Sequence, residues 1–166
     1  VKELLWELHQ DYSGTINIKT INITKEKEQV FTFDRETNFE TVHYSEPLNF
    51  LYEPNSAIMK SGGFDQVGLS YNLNKLHKHS HLYTHSGLID FPGRVFKIDK
   101  TFRYTKEEMK IFLENKTANL TTRNFPETVE NIRKKWKIKE GGNLYCFFTT
   151  DIHNYKIVLI CSKIDL

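Results

Sequence analysis

Apolar residues alternate with polar ones along several short stretches of the chain, and a period of two predicts β-strands. The first two stretches, at residues 16–23 and 30–33, are separated by a charged turn at residues 25–28 and therefore predict a hairpin. Further strands are expected at residues 50–52, 82–83, 95–98, 118–122, 144–150 and 156–161. Residues 157–160 are all apolar, which predicts a central strand buried on both faces.

The N-terminal half also carries helix signals. Residues 1–12 place apolar side chains at helical spacing and reach a stop at Gly14. A second, short helix is expected at residues 57–60, before Gly62 and Gly63 weaken it. Because the chain starts inside a helical pattern and without an initiator Met, we expect a fragment of a longer protein.

Two further helices are expected in the C-terminal half. Thr105 and Glu108 form a capping box, which predicts a helix to about residue 115. The second of these helices is expected to start at Pro126, because Pro is typical of a helix start. It is expected to end at the pair Gly141-Gly142, because Gly is typical of a helix end. From Arg94 onward the expected order is strand, helix, strand, helix, strand, strand, so the fold class is α/β, in the α+β sense of a mixed sheet.

Charge is unevenly distributed along the chain, although the 166 residues carry a formal net charge of only +2. Residues 94–139 contain 13 Lys or Arg against 6 Asp or Glu, a net charge of +7, while the rest contains 10 against 15, a net charge of −5. A basic stretch joined to an acidic one predicts a surface that attracts a polyanion such as RNA.

Catalytic patterns are missing from the sequence. No Gly-rich turn follows a predicted strand to admit a nucleotide cofactor, no Ser or Cys occupies a nucleophile elbow, and no carboxylates form a distinctive pair. We therefore expect no catalytic residues and no cofactor site in this fragment. Cys146 and Cys161 lack disulfide or metal spacing and are expected as buried thiols of a cytoplasmic protein, and no apolar run is long enough to cross a membrane.

Four histidines, His77, His79, His81 and His85, form a cluster in the sequence. The first three would share one face of a strand, as metal ligands can. Without a nearby cysteine, and with Asp90 as the one nearby acidic residue, a solvated loop is the favoured interpretation and no metal is expected. An enzyme built on this cluster is the remote alternative, which metal analysis would test.

The basic stretch supplies the candidate nucleic-acid-binding residues, which are Arg94, Arg123, Asn124, Arg133, Lys134, Lys135 and Lys137. Cations on one face would hold RNA phosphates, and nearby aromatic rings could stack on unpaired bases. Two alternatives stay open. The cations near the helix end could be a solvated face favoured by the helix dipole, and Arg94 and Arg123 could each pair with a carboxylate under the sheet.

Several motifs give a more specific indication. They are LYEPNSAIMK at 51–60, HLYT at 81–84, DFPGRVF at 90–96, TRNFP at 122–126 and LY at 144–145. Together they resemble the C-terminal region of bacterial class I S-adenosylmethionine-dependent methyltransferases, in which a small ferredoxin-like domain precedes a THUMP-like domain. The resemblance implies a ferredoxin-like domain at 47–92, a THUMP-like domain at 93–166, and at 1–46 the closing helix and hairpin of the methyltransferase domain.

The same resemblance implies an RNA-binding accessory region, with tRNA or rRNA as the expected partner. S-adenosylmethionine would then bind an upstream catalytic domain of the same protein, and this fragment would be non-catalytic. The rival interpretation is a protein-interaction module whose basic face docks the catalytic domain or a partner subunit.

Overall fold

The computed structural model describes residues 3–25, 27–35 and 41–165. The helix expected at residues 1–12 is wrong over its described part, because none of residues 3–16 is helical. Its apolar side chains point to solvent, with Leu5 93% and Leu8 87% exposed. A single amphipathic helix of this length is marginal in water unless its apolar face packs, and the apolar side chains of this segment are left exposed by the described residues. Residues 1–2, 26 and 36–40, which belong to the predicted remnant at 1–46, lie outside the described residues.

The predicted hairpin is confirmed. Strands β1 (Asn17–Ile23) and β2 (Glu28–Asp34) pair antiparallel as a separate two-stranded sheet. One face of the hairpin turns inward, where Phe31 is buried, while Ile21 and Val30 are cross-strand partners on the outer, exposed face.

The next segment contains three strands and two short helices. These are β3 (Phe50–Pro54), α1 (Ser56–Ser61), α2 (Phe64–Ser70), β4 (Asn74–Lys75) and β5 (Tyr83–His85). The side chain of Asn55 caps α1 by accepting from the amides of Ala57 and Ile58, and Gly62 ends the helix with a φ of 77°. Helix α2 was not predicted, because Gly62 and Gly63 were interpreted as the end of the preceding helix, and no new helix was expected after them.

The last segment follows the predicted order of elements. It contains β6 (Gly93–Arg103), α3 (Lys106–Phe112), β7 (Asn119–Thr122), α4 (Val129–Trp136), β8 (Leu144–Thr150) and β9 (Lys156–Ile164). The prediction was wrong about the bounds of α4. The helix starts at Val129, capped by Thr128, instead of at Pro126, and Lys137 ends it in the left-handed conformation, four residues before Gly141.

In the described part of the chain, seven strands form one sheet in the order β4-β5-β3-β6-β9-β8-β7. All neighbours are antiparallel except β7 and β8, which are parallel, so the mixed sheet is confirmed. Strand β9 lies between β6 and β8, as its doubly apolar sequence predicted. Cys146 and Cys161 are buried free thiols, and burial raises the pKa of Cys146 to about 12.

The sheet folds back on itself. Three strands separate β3 from β7 in the sheet order, yet Glu53 of β3 contacts Arg123, which directly follows β7. The register of β6 shifts between Ile98 and Lys100, an irregularity of the kind that bends a long strand. The folded sheet encloses an apolar layer in which the rings of Phe96 and Phe147 lie 4.9 Å apart.

Two more apolar clusters cover the outer faces. Helices α3 and α4 bury Met109, Leu113, Ile132 and Trp136 against one end of the sheet. The hairpin and the two short helices bury Phe31, Ile58 and Val67 against the other end. The result is a sheet whose two ends are brought together, and the polar residues of interest lie where they meet.

Candidate nucleic-acid interface

Two of the predicted site residues, Arg94 and Arg123, converge on one carboxylate. Glu53 is 3% exposed. It accepts from Nε and Nη2 of Arg94 through Oε2, and from Nη2 of Arg123 through Oε1 at 2.7 Å. This arrangement supports the structural alternative for both arginines, although their side chains are still 46% and 36% exposed. Arg94 reaches Glu53 because the two residues are cross-strand partners, whereas Arg123 reaches it across the fold of the sheet.

A second polar network joins the same parts of the sheet. His77, 8% exposed, accepts through Nδ1 from the side-chain amide of Asn124 at 3.0 Å and from the backbone amide of His79 at 3.1 Å. Its Nε2 lies 3.2 Å from the side-chain oxygen of Asn154. Because Nδ1 accepts twice, Nε2 is the ring nitrogen that carries a proton and can donate to Asn154. Asn124 adopts a left-handed conformation with a φ of 52°.

The histidine cluster does not converge on one point. His77 serves the network just described, His79 is exposed, His81 stacks on Phe64 at 3.7 Å, and His85 bonds to the backbone of Gly87. Within the described ranges, no group of three or more His, Cys, Asp or Glu side chains is arranged to hold a metal ion.

The four cations of α4 lie at or beyond its C-terminal turn, where the helix dipole favours them. Lys134, Lys135 and Lys137 are exposed, whereas Arg133 is half-buried and donates to the carbonyl of Ile138 at 3.4 Å. Lys135 lies 3.2 Å from a carboxylate oxygen of Glu127. The helix thus brings together four of the seven predicted residues, one of them partly neutralised.

Aromatic rings lie beside these cations. Lys135 donates to the hydroxyl of Tyr104 at 3.3 Å, and the indole of Trp136 donates to the same oxygen at 3.0 Å. The ring of Tyr104 meets Phe125 edge to face, with centroids 5.0 Å apart. Burial raises the pKa of Tyr104, so its hydroxyl stays protonated at neutral pH.

A groove of about 420 Å³ opens next to this aromatic cluster. We call it the β7 groove, and it is lined by Thr122, Asn124, Phe125, Pro126 and Lys156. The sequence interpretation chose Asn124 but missed Lys156, which starts β9 and lies more than thirty residues away along the chain. No local pattern marks Lys156, and only the β8–β9 hairpin brings it to the end of β7.

Residues 50–92 match the model of a ferredoxin-like domain, and residues 93–163 match that of a THUMP domain-like family. The chain contains a ferredoxin-like domain followed by a THUMP-like domain. The divisions predicted at 1–46, 47–92 and 93–166 stay predictions, since the sheet continues through the junction of the two domains by the pairing of β3 with β6.

A solved structure is similar over most of the chain. It is described as "Crystal structure of putative methyltransferase from Porphyromonas gingivalis W83", and it matches 90% of this chain with a TM-score of 0.81 and 29% sequence identity. The present chain spans 38% of the length of that protein. No curated protein matches the chain significantly.

Both polar networks cross from one domain to the other. Glu53 and His77 belong to the ferredoxin-like domain, while Arg94, Arg123 and Asn124 belong to the THUMP-like domain. The first network also explains motifs noted in the sequence, because LYEPNSAIMK, DFPGRVF and TRNFP each contribute one member of the Glu53–Arg94–Arg123 cluster. These motifs therefore specify how the two domains are joined.

The domain junction also predicts a pH dependence through His81. Burial lowers the pKa of His81 below its ordinary value of 6.5, and the positive charges of Lys75 and Arg123 lower it further. As pH falls below about 6.5, the unfolded chain takes up this proton before the folded one does, so folding stability declines. Above that pH the contribution is fully present.

The test is the substitution His81→Asn, since Asn tolerates the positive φ of 52° at this position. Urea unfolding of both proteins between pH 5 and 7.5 should show that the free energy of unfolding falls more steeply with decreasing pH in the wild type than in His81→Asn. His79→Asn, at an exposed site, is the matched control and should leave the pH slope unchanged. A difference between wild type and His81→Asn that is constant across the range would contradict this account.

Proposed function

We propose that this chain is the RNA-substrate-binding accessory region of a class I S-adenosylmethionine-dependent methyltransferase of the cytoplasm, and that it lies on the C-terminal side of the catalytic domain. The THUMP-like domain and the similarity to a protein described as a putative methyltransferase support this proposal. The observation that carries it is the grouping of exposed cations with aromatic rings on the THUMP-like domain.

Lys134, Lys135 and Lys137 are the residues that we assign to RNA phosphates. Their exposed ammonium groups lie at one end of α4, so they can neutralise neighbouring phosphates without first leaving a buried partner. Glu127 offsets part of the charge of Lys135, and the other two are not engaged by an acidic side chain in the described residues. Arg94 and Arg123 act mainly as the junction between domains, with Arg133 bonded to the end of its own helix.

The cofactor is assigned to a domain upstream of this chain. The described residues do not fit S-adenosylmethionine, since both pairs of adjacent glycines, Gly62-Gly63 and Gly141-Gly142, come after a helix instead of directly after a strand. When bound upstream, the cofactor would supply the methyl group. The role of the present residues is to hold the RNA so that a target atom reaches that domain.

The proposal is tested by RNA binding to the intact protein that contains this chain. Fluorescence anisotropy with tRNA and with an rRNA fragment, titrated at several salt concentrations, should show binding that weakens as salt rises. The triple variant Lys134→Gln, Lys135→Gln, Lys137→Gln should flatten the salt dependence, with a slope reduced by roughly 0.7–0.9 for each lost phosphate contact. The matched control replaces three cations outside α4, Lys19, Lys25 and Lys97, with Gln.

A second candidate function is supported by one observation. The N-terminal segment exposes Leu4, Leu5, Trp6 and Leu8, and apolar side chains in a row favour protein docking over RNA binding. If the intact protein binds neither RNA at low salt, the RNA proposal fails and the chain is better explained as a docking module. Equal salt slopes for the α4 triple variant and its control would remove α4 from the interface.

A further inference from the structure

The β7 groove has the dimensions of a site for one small ligand. Its volume of about 420 Å³ falls near the lower end of ligand pockets, which span about 300–1,000 Å³. Its lining combines an aromatic ring, a proline ring, a hydroxyl, an amide and an ammonium group. A ligand that satisfies all five needs a flat apolar face, polar edges and a negative charge.

The apolar wall is rigid. The ring of Phe125 packs edge to face against Tyr104 at 5.0 Å and against Phe148 at 5.6 Å, so neighbours hold its orientation. Phe125 is half-buried and Pro126 is exposed, which leaves part of both rings accessible from the groove. A planar base can stack on such a surface without any rearrangement of the protein.

Lys156 places an ammonium group at the groove. Lys156 donates to the hydroxyl of Thr150 at 2.6 Å, and that hydroxyl donates to the carbonyl of Asn124 at 2.6 Å, so the ammonium group is fixed at the groove. The carboxylate of Asp151 is buried and accepts the amides of His153 and Tyr155, and it forms no ion pair with Lys156.

Two polar residues, Asn124 and Thr122, also line the groove. Asn124 is exposed, but its backbone is fixed by the bond from Thr150 and its side chain by His77 of the ferredoxin-like domain. Thr122 ends β7 beside it. The amide of Asn124 can bond to the edge of a stacked base, because its conformation is already set before binding.

We infer that the β7 groove binds one unpaired RNA nucleotide, with its base stacked on Phe125 and Pro126 and its phosphate on Lys156. This inference rests on the proposed function, because it names the part of the RNA that the THUMP-like domain holds. It also separates two surfaces, in which the cations of α4 contact the phosphate backbone and the groove selects single-stranded over paired RNA.

The experiment compares two RNA probes bound to the intact protein, a fluorescent ten-residue oligouridylate and a blunt RNA duplex of the same length. Phe125→Leu should weaken oligouridylate binding about tenfold, within the range measured for loss of a base-stacking side chain. Lys156→Gln should lower the salt slope for oligouridylate by roughly 0.7, the loss of one single-strand phosphate contact. Neither variant should change duplex binding by more than about twofold.

Lys97→Gln, an exposed cation of β6 away from the groove, is the matched control and should bind both probes as the wild type does. An oligouridylate containing 4-thiouridine should crosslink, on irradiation, to the peptides that carry residues 122–126 or 155–156. The inference is overturned if both groove variants bind oligouridylate within twofold of wild type, or if crosslinks form only elsewhere. Binding of duplex alone by the wild type would overturn it while leaving the proposed function standing.

Discussion

Gly93→Ala should lower the free energy of unfolding by about 3 kcal/mol, the upper end of the cost of overpacking a well-packed site. A Cβ atom at this position would lie 2.1 Å from the backbone carbonyl oxygen of Glu53 on the neighbouring strand and 2.9 Å from the ring of Phe91. Because the closer of these is backbone, the clash can be relieved only by separating β3 from β6. The pair Pro54 and Gly93 is the first of their ladder, so the damage begins at the domain junction.

Thermal unfolding provides the measurement. For a chain of this size, a loss of this magnitude corresponds to a decrease in Tm of roughly 6–12 °C. Gly87→Ala is the matched control, because a Cβ there meets only the His85 ring, at 3.5 Å, an ordinary contact distance. If the two alanine variants melted at the same temperature, the close approach at Gly93 would be excluded as a determinant of the junction.

Glu53→Gln should cost roughly 2–3 kcal/mol, and this is the second largest effect that we expect. Removing one member of a fully buried ion pair costs about 3–5 kcal/mol, because the remaining charge loses its partner without regaining water. Here the two remaining charges are the arginines, which are partly exposed and can turn toward solvent, so the cost is smaller. A glutamine retains the shape of the side chain and one acceptor, but not the charge that holds both guanidinium groups.

Urea unfolding of Glu53→Gln should show a lower midpoint with an unchanged slope, since the surface exposed on unfolding is the same. Glu107→Gln, an exposed acidic residue in the first turn of α3, should shift the midpoint by far less. A midpoint for Glu53→Gln equal to that of the control would mean that the two arginines hold the junction without help from this carboxylate.

Much of the strand content follows from local pattern. Alternation located the strand that became β6, because a half-buried strand needs apolar residues on one face only, and runs of β-branched or aromatic residues located the hairpin, β3, β8 and β9. The helix expected at the N-terminus failed for the complementary reason. Its leucines have the spacing of a buried face, but spacing cannot provide a surface to bury it, and none contacts that segment among the described residues.

The candidate site was predictable only in part. The clustering of Arg133, Lys134, Lys135 and Lys137 follows from their adjacency on one helix. That Arg94 and Arg123 share Glu53 depends on the folding back of the sheet, which no local signal reports, and the same fold places Lys156 at the end of β7. Contacts between residues far apart in the sequence are set by tertiary packing, so the junction and the groove appear only in three dimensions.

The pairing of β3 with β6 prevents the two domains from being separated without breaking the sheet. Strands β3 and β6, which match two separate family models, are joined by five cross-strand residue pairs, from Phe50 with Lys97 to Pro54 with Gly93. Separating the two domains at this boundary would expose β3 and β6 as edge strands. Their unpaired amides and carbonyls could then pair with another chain. The two domains can therefore be transferred to another protein only together.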